Sequence, residues 1–105
     1  MNEMIAANSN FTETFNAFVV FVNEMSSTYT QREFPNLKPE PITVNEGKRY
    51  NKLVKNGSAF CFVDTTNGNI LKAAGWSAPA KGARGNIFNR DSWKRVTPYG
   101  AAYLR

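Results

Sequence analysis

From Phe11 onward, large apolar residues return at steps of three and four: Phe11, Phe15, Phe18, Val22, Met25 and Tyr29. That is the spacing of one face of an α-helix. Val19 and Phe21 widen the stripe, while Thr12, Glu13, Asn16, Asn23, Glu24 and Ser27 fall largely elsewhere. Asn10 offers a side-chain oxygen to the free N–H groups of a first turn, and Glu13 stands three positions later, so a capping box is expected there. The pattern predicts a helix from Phe11 to Arg32, preceded by residues 1–10 that need not be ordered. Pro35, Pro39 and Pro41 then mark residues 33–41 as a linker, because proline has no N–H to continue a helix.

Beyond the linker the period falls to about two, the alternation of a strand. Ile42 and Val44 predict a short strand or its start, and Tyr50, Leu53 and Val54 follow in a basic segment that ends at Asn56-Gly57. Ser58–Asp64, reading SAFCFVD, is the strongest strand, bounded by Gly57 on one side and Asn67-Gly68 on the other. Asn67-Gly68 suits a two-residue hairpin turn, both central residues having positive φ, with Asn69–Ala74 as the returning strand. That turn would put Phe60, Phe62, Leu71 and Ala73 on one face, ready to receive the phenylalanines of the helix. The Gly- and Pro-bearing run 75–86 reads as a long loop or a short irregular helix, and Asp91-Ser92 as the cap of a short helix near Trp93. The expectation is one α+β domain over residues 1–105: an N-terminal amphipathic helix on a small antiparallel sheet, with an irregular basic C-terminal region.

Composition adds chemistry mainly by exclusion. The chain has no histidine, which removes Ser-His-Asp and Cys-His catalysis and zinc sites of Cys/His type. Cys61, the single cysteine, lies between Phe60 and Phe62 without a neighbouring cation, the setting of a buried packing residue. After Glu46 only Asp64 and Asp91 are acidic, too few for a carboxylate-held metal pair. No catalytic residue, metal site or cofactor is expected, and the protein is read as a non-enzyme. No apolar run reaches 18 residues, and Met1–Asn10 lacks the basic start of a secretion signal. The protein is therefore expected to stay in the cell that makes it, without membrane partners.

Charge is unevenly spread. Residues 1–41 carry five acidic and two basic side chains, net −3, whereas residues 42–105 carry three acidic and eleven basic ones, net +8. An anionic partner for the basic part is one explanation, and an acidic helix offsetting a basic sheet is the other. Lys48, Arg49, Lys52 and Lys55 surround Tyr50, and Arg90, Lys94 and Arg95 surround Trp93. Basic side chains for phosphates beside aromatic planes for bases are the means of holding single-stranded nucleic acid. In Lys72–Asn86, Lys72, Lys81 and Arg84 supply charge, Trp76 a stacking plane, and Gly82 and Gly85 close backbone approach, without the GxxxxGK[ST] spacing of a triphosphate loop. The same segment also reads as a connecting loop whose Trp76 and Pro79 cover the core's end.

The text from Ser58 to Asn86 resembles a group of small, mostly uncharacterised tailed-phage proteins. The resemblance rests on Tyr50 and Lys52, on Phe62, Asp64, Gly68, Leu71 and Lys72 of the hairpin, and on Trp76, Pro79, Lys81, Arg84, Gly85 and Asn86. Tyr103-Leu104-Arg105 is similar as well. The match covers about half of the chain and implies a phage protein that acts in the cytoplasm of an infected bacterium or travels in the virion. Two functions remain open at this point. One is single-stranded nucleic-acid binding through Lys48, Tyr50, Lys52, Lys72, Trp76, Lys81 and Arg84. The other is a protein-binding module that modulates a host factor, or a minor virion component.

Overall fold

The computed structural model describes residues 3–97, 100 and 101. One long helix, α1 (Glu3–Glu33), leads into an irregular Pro-containing stretch and then five strands. These are β1 (Thr43–Asn45), β2 (Tyr50–Lys55), β3 (Ser58–Asp64), β4 (Asn69–Ala73) and β5 (Pro79–Asn86). They form an antiparallel meander in chain order. A 3₁₀ helix (Arg90–Arg95) and a two-stranded ribbon of β6 (Val96–Thr97) and β7 (Gly100–Ala101) follow. The fold is α+β, with one helix laid on one face of an antiparallel sheet.

The helical periodicity becomes packing as expected. Phe15, Phe18 and Val22 are buried against Leu53, Cys61, Val63, Ile70 and Ile87 of the sheet side, with Trp93 and Val96 closing the end. Phe18 meets the Trp93 ring edge-on at 5.4 Å, and Phe21 lies 5.3 Å from the same ring. Asn23 ties the linker's end to the helix: its Oδ1 accepts from the Ile42 N–H at 2.7 Å, and its Nδ2 donates to the Ile42 carbonyl at 3.2 Å. The helix start differs from the expectation. α1 runs through Asn10, so no cap forms there. Met4, Ala6 and Ala7 upstream are strong helix formers and let the backbone remain helical from Glu3.

Two other expectations are corrected. The β3–β4 connection is not a two-residue turn at Asn67-Gly68. Pairing of Phe62 with Leu71 and Val63 with Ile70 leaves Thr65–Gly68 as a four-residue loop. Asp64 organises it, its Oδ1 accepting from the Thr66 N–H at 2.8 Å and from the Thr66 hydroxyl, while Gly68 takes φ 81°. The shared face also differs. Leu53 pairs with Cys61 but Val54 with Ala59, so Phe60 is the extra residue of a β-bulge. The bulge turns Phe60 to the helix side along with Cys61 and Val63. Phe62 and Leu71 stay on the opposite face, where they are nonetheless buried.

Residues 79–86, expected as loop or irregular helix, form the edge strand β5. An edge tolerates Pro79 and the glycines because its outer N–H groups need no partner in the sheet. Between the Leu71–Ala83 and Ala73–Pro79 pairs, β5 carries three residues opposite Lys72 alone. Gly82, at φ 88°, lies in this wide bulge. The short helix near Trp93 does form, though no side chain caps it. Ser92 instead donates to the Asn89 carbonyl at 2.7 Å and accepts from the Asn86 N–H at 2.9 Å.

Candidate nucleic-acid interface

The face of the sheet turned away from α1 is crossed by one row of paired residues: Lys52, Phe62, Leu71 and Ala83. Neighbouring strands lie about 4.8 Å apart, so the row spans about 14 Å. The β4–β5 connection folds over it, closed by the Ala74 and Gly75 N–H groups, which both donate to the Ala78 carbonyl. This brings the Trp76 ring against Lys52, whose Nζ lies 3.5 Å from the ring centroid and also donates to the Trp76 carbonyl at 3.0 Å. A cation over an indole face is attractive in itself. Trp76 stays 49% exposed, a large value for tryptophan, with Lys52 covering one side of the ring.

Tyr50 extends the same surface. Its ring meets Phe62 edge-on at 6.1 Å and carries the Arg49 guanidinium 5.3 Å from its centroid. Arg49 Nε donates to Asp64 Oδ2 at 3.2 Å, between an exposed arginine and a buried carboxylate. Burial pushes the Asp64 carboxyl up, but hydrogen bonds from Thr66, then Arg49's hydrogen bond and charge, outweigh it and hold the group below its ordinary range. Asp64 is thereby a fixed anion that braces Arg49 and the Thr65–Gly68 loop.

The seven residues singled out from sequence fall into three groups. Tyr50, Lys52 and Trp76 come together on the outer face, with exposed Lys48 adjoining through its carbonyl, which accepts from the Thr65 hydroxyl at 2.9 Å. Lys81 is exposed in the β5 bulge. Lys72 and Arg84 stand apart. By alternation along β4, Lys72 shares the side of Ile70 and not that of Leu71, and its Nζ reaches the Ala73 carbonyl. Arg84 is only 7% exposed, and its Nη1 donates to the carbonyls of Lys81 at 2.9 Å and Gly82 at 2.7 Å. It pins the bulge that displays Lys81.

The second basic stretch does not join this surface. Trp93 packs on α1, and Arg90 sits 4.7 Å over the Trp93 ring, so the 3₁₀ helix lies on the helix side. Gly85, expected to admit a ligand, instead admits Ser92: a Cβ there would stand 2.9 Å from Ser92 Oγ. Arg49, not among the seven, belongs to the site. Its signal is the Asp64-Thr65-Thr66 sequence, since an aspartate bonded to a residue two positions on is held in place to receive a cation.

Burial pushes the Cys61 thiol up, the opposite of what a reactive thiolate needs. Among the described residues, no three acidic or cysteine side chains gather as a metal-binding group, and no helix is long and apolar enough to cross a membrane.

The chain belongs to DUF7717, described as a family of unknown function, whose model matches residues 3–100. No curated protein and no solved structure matches it.

Proposed function

We propose that this protein is a non-enzymatic phage accessory protein that holds single-stranded nucleic acid on the outer face of its sheet. The observation that carries the reading is the half-exposed Trp76 ring held against Lys52, on the sheet face that also bears Tyr50 with Arg49 over its ring. Planar side chains of this kind stack on bases that are free of a duplex, and the cations meet the phosphates between them. Lys81 continues the charge toward the β5 edge, while Arg84 contributes by shaping its bulge. Support for the phage setting is the resemblance carried by Tyr50–Asn86, and support for a non-enzyme is the absence of histidine, a triphosphate loop and a carboxylate cluster. In this reading it acts in the host cytoplasm during infection.

Electrophoretic shift with single-stranded DNA, duplex DNA and RNA at two salt concentrations tests the proposal. Neutralising about four phosphates gives log K against log salt a slope of roughly −3 on a single strand. Trp76→Ala is expected to cost about 1–3 kcal/mol of binding. The folded wild type giving no shift at low salt would refute nucleic-acid binding and leave a protein partner. An affinity indifferent to salt would remove the phosphate contacts.

A further inference from the structure

On the side opposite the nucleic-acid face, α1 and the 3₁₀ helix enclose a shallow groove. Ala17, Val20, Phe21 and Glu24 form one wall, and Arg90, Trp93 and Lys94 form the other. Its floor is apolar, with Phe21 and Trp93 in contact, and Val20 stands 56% exposed beside it. Val20 is a branched apolar side chain left bare on the outward face of the helix, among the exposed Asn16, Glu24 and Thr28. The charges are divided by wall: Glu24 on α1, Arg90 and Lys94 on the 3₁₀ helix. Among the described residues the ion pairs are Arg32–Glu33 and Arg49–Asp64, so Glu24 and Lys94 face the same groove without pairing to each other.

We propose that this groove is an isologous interface, its occupant a second copy of the chain. A two-fold axis down the middle of the groove exchanges the walls. It carries Glu24 of each copy over Lys94 of the other, and brings the two Val20 side chains together beside the Ala17 and Phe21 side chains of both copies. A patch with acid on one wall and base on the other is complementary to itself under this operation. The alternative of a single-sign rim, which would call for a foreign partner of opposite charge, is not what the groove has. The dimer leaves both Trp76 faces outward, on the far sides of the two sheets.

Sedimentation velocity over a wide concentration range tests this with the full chain. The wild type is expected to pass reversibly from monomer to dimer, more weakly at high salt because the pairs are at the rim. Val20→Asp is expected to weaken the dimer about tenfold or more, since it buries a charge at the centre. Glu24→Lys and Lys94→Glu should each weaken it by about fivefold, every change being counted twice across the axis. Mixing these two variants should restore dimerisation, because each contact in the mixed dimer then joins opposite charges. All three residues are on the surface, and far-UV circular dichroism shows that each variant is folded. A wild type that stays monomeric throughout would overturn the proposal. So would a dimer unchanged by Val20→Asp, or a mixture no tighter than its parts.

Discussion

Phe18→Ala is the sharpest test of how the helix is held. Phe18 is wholly buried at the centre of α1's apolar stripe and meets Trp93 edge-on at 5.4 Å. Removing the ring forfeits its transfer from water, about 1.5–3 kcal/mol for a fully buried phenylalanine. The aromatic pair adds about 0.5–1.5 kcal/mol. A cavity remains as well, because α1 is tied at Asn23 to the Ile42 backbone and cannot simply settle inward. The expected total is roughly 3–5 kcal/mol, the usual range for a phenylalanine truncated in a core. Against a domain stability of about 5–15 kcal/mol, that is a large share. Urea unfolding followed by tryptophan fluorescence reads it, since Trp93 is buried against the deleted ring while Trp76 is already half in solvent. Repeating the measurement on Trp76→Phe isolates the Trp93 signal. A loss below about 1 kcal/mol, with an unchanged denaturant slope, would refute the placement of Phe18 in the core.

Three further outcomes follow from the geometry. Gly85→Ala should cost roughly 1–3 kcal/mol in thermal or urea unfolding, because its Cβ would press on Ser92, whose hydroxyl is fixed by Asn86 and Asn89. Arg84→Ala should destabilise by about 1–3 kcal/mol through the loss of hydrogen bonds from a buried guanidinium, whereas exposed Lys81→Ala should stay within about 0.5 kcal/mol, and equal effects would contradict the bulge-pinning role. Asp64, with its folded pKa held below the ordinary 3.8, contributes stability that is fully present above that value and lost as pH falls through the folded pKa. Acid unfolding of Asp64→Asn should therefore be less steep than that of the wild type at the low end, and an unchanged acid limb would count against the Arg49–Thr66 bracing.

How much could be read beforehand depends on the range over which each signal acts. β3 was legible to its ends, Ser58 and Asp64, because turn residues flank an aromatic run. The helix face was legible because Phe15, Phe18 and Val22 answer to a local period. The bulge at Phe60 was not. Nothing local distinguishes an inserted residue from a regular alternation, and it takes the partner strand, with Leu53 opposite Cys61, to define it. β5 was hidden by Gly82 and Pro79, which signal a loop wherever the strand is not an edge. In the candidate site, residue types pointed to Tyr50, Lys52 and Trp76, but their meeting depends on register and on a short loop folding back. The burial of Arg84 was beyond reach for the same reason: its partners are carbonyls, which carry no residue signature.

The position of α1 ahead of all the strands it packs on also sets a folding order. Each strand of the meander pairs with the next, so sheet formation closes only short loops. The apolar stripe of α1 has no such neighbour. Its partners begin at Ile42 and end at Val96, so α1, although made before the sheet, is among the last elements to be buried. We infer a transition state built in the β2–β4 hairpins with α1 docking afterwards. Truncations in α1 such as Phe18→Ala should then accelerate unfolding while leaving the folding rate nearly unchanged, and Val63→Ala in β3 should slow folding. The reverse pattern in the two arms of the chevron would show that the helix leads. During synthesis, Phe15, Phe18 and Val22 remain uncovered until Trp93 and Val96 have been made, and the nascent chain is most open to capture by other hydrophobic surfaces over that interval.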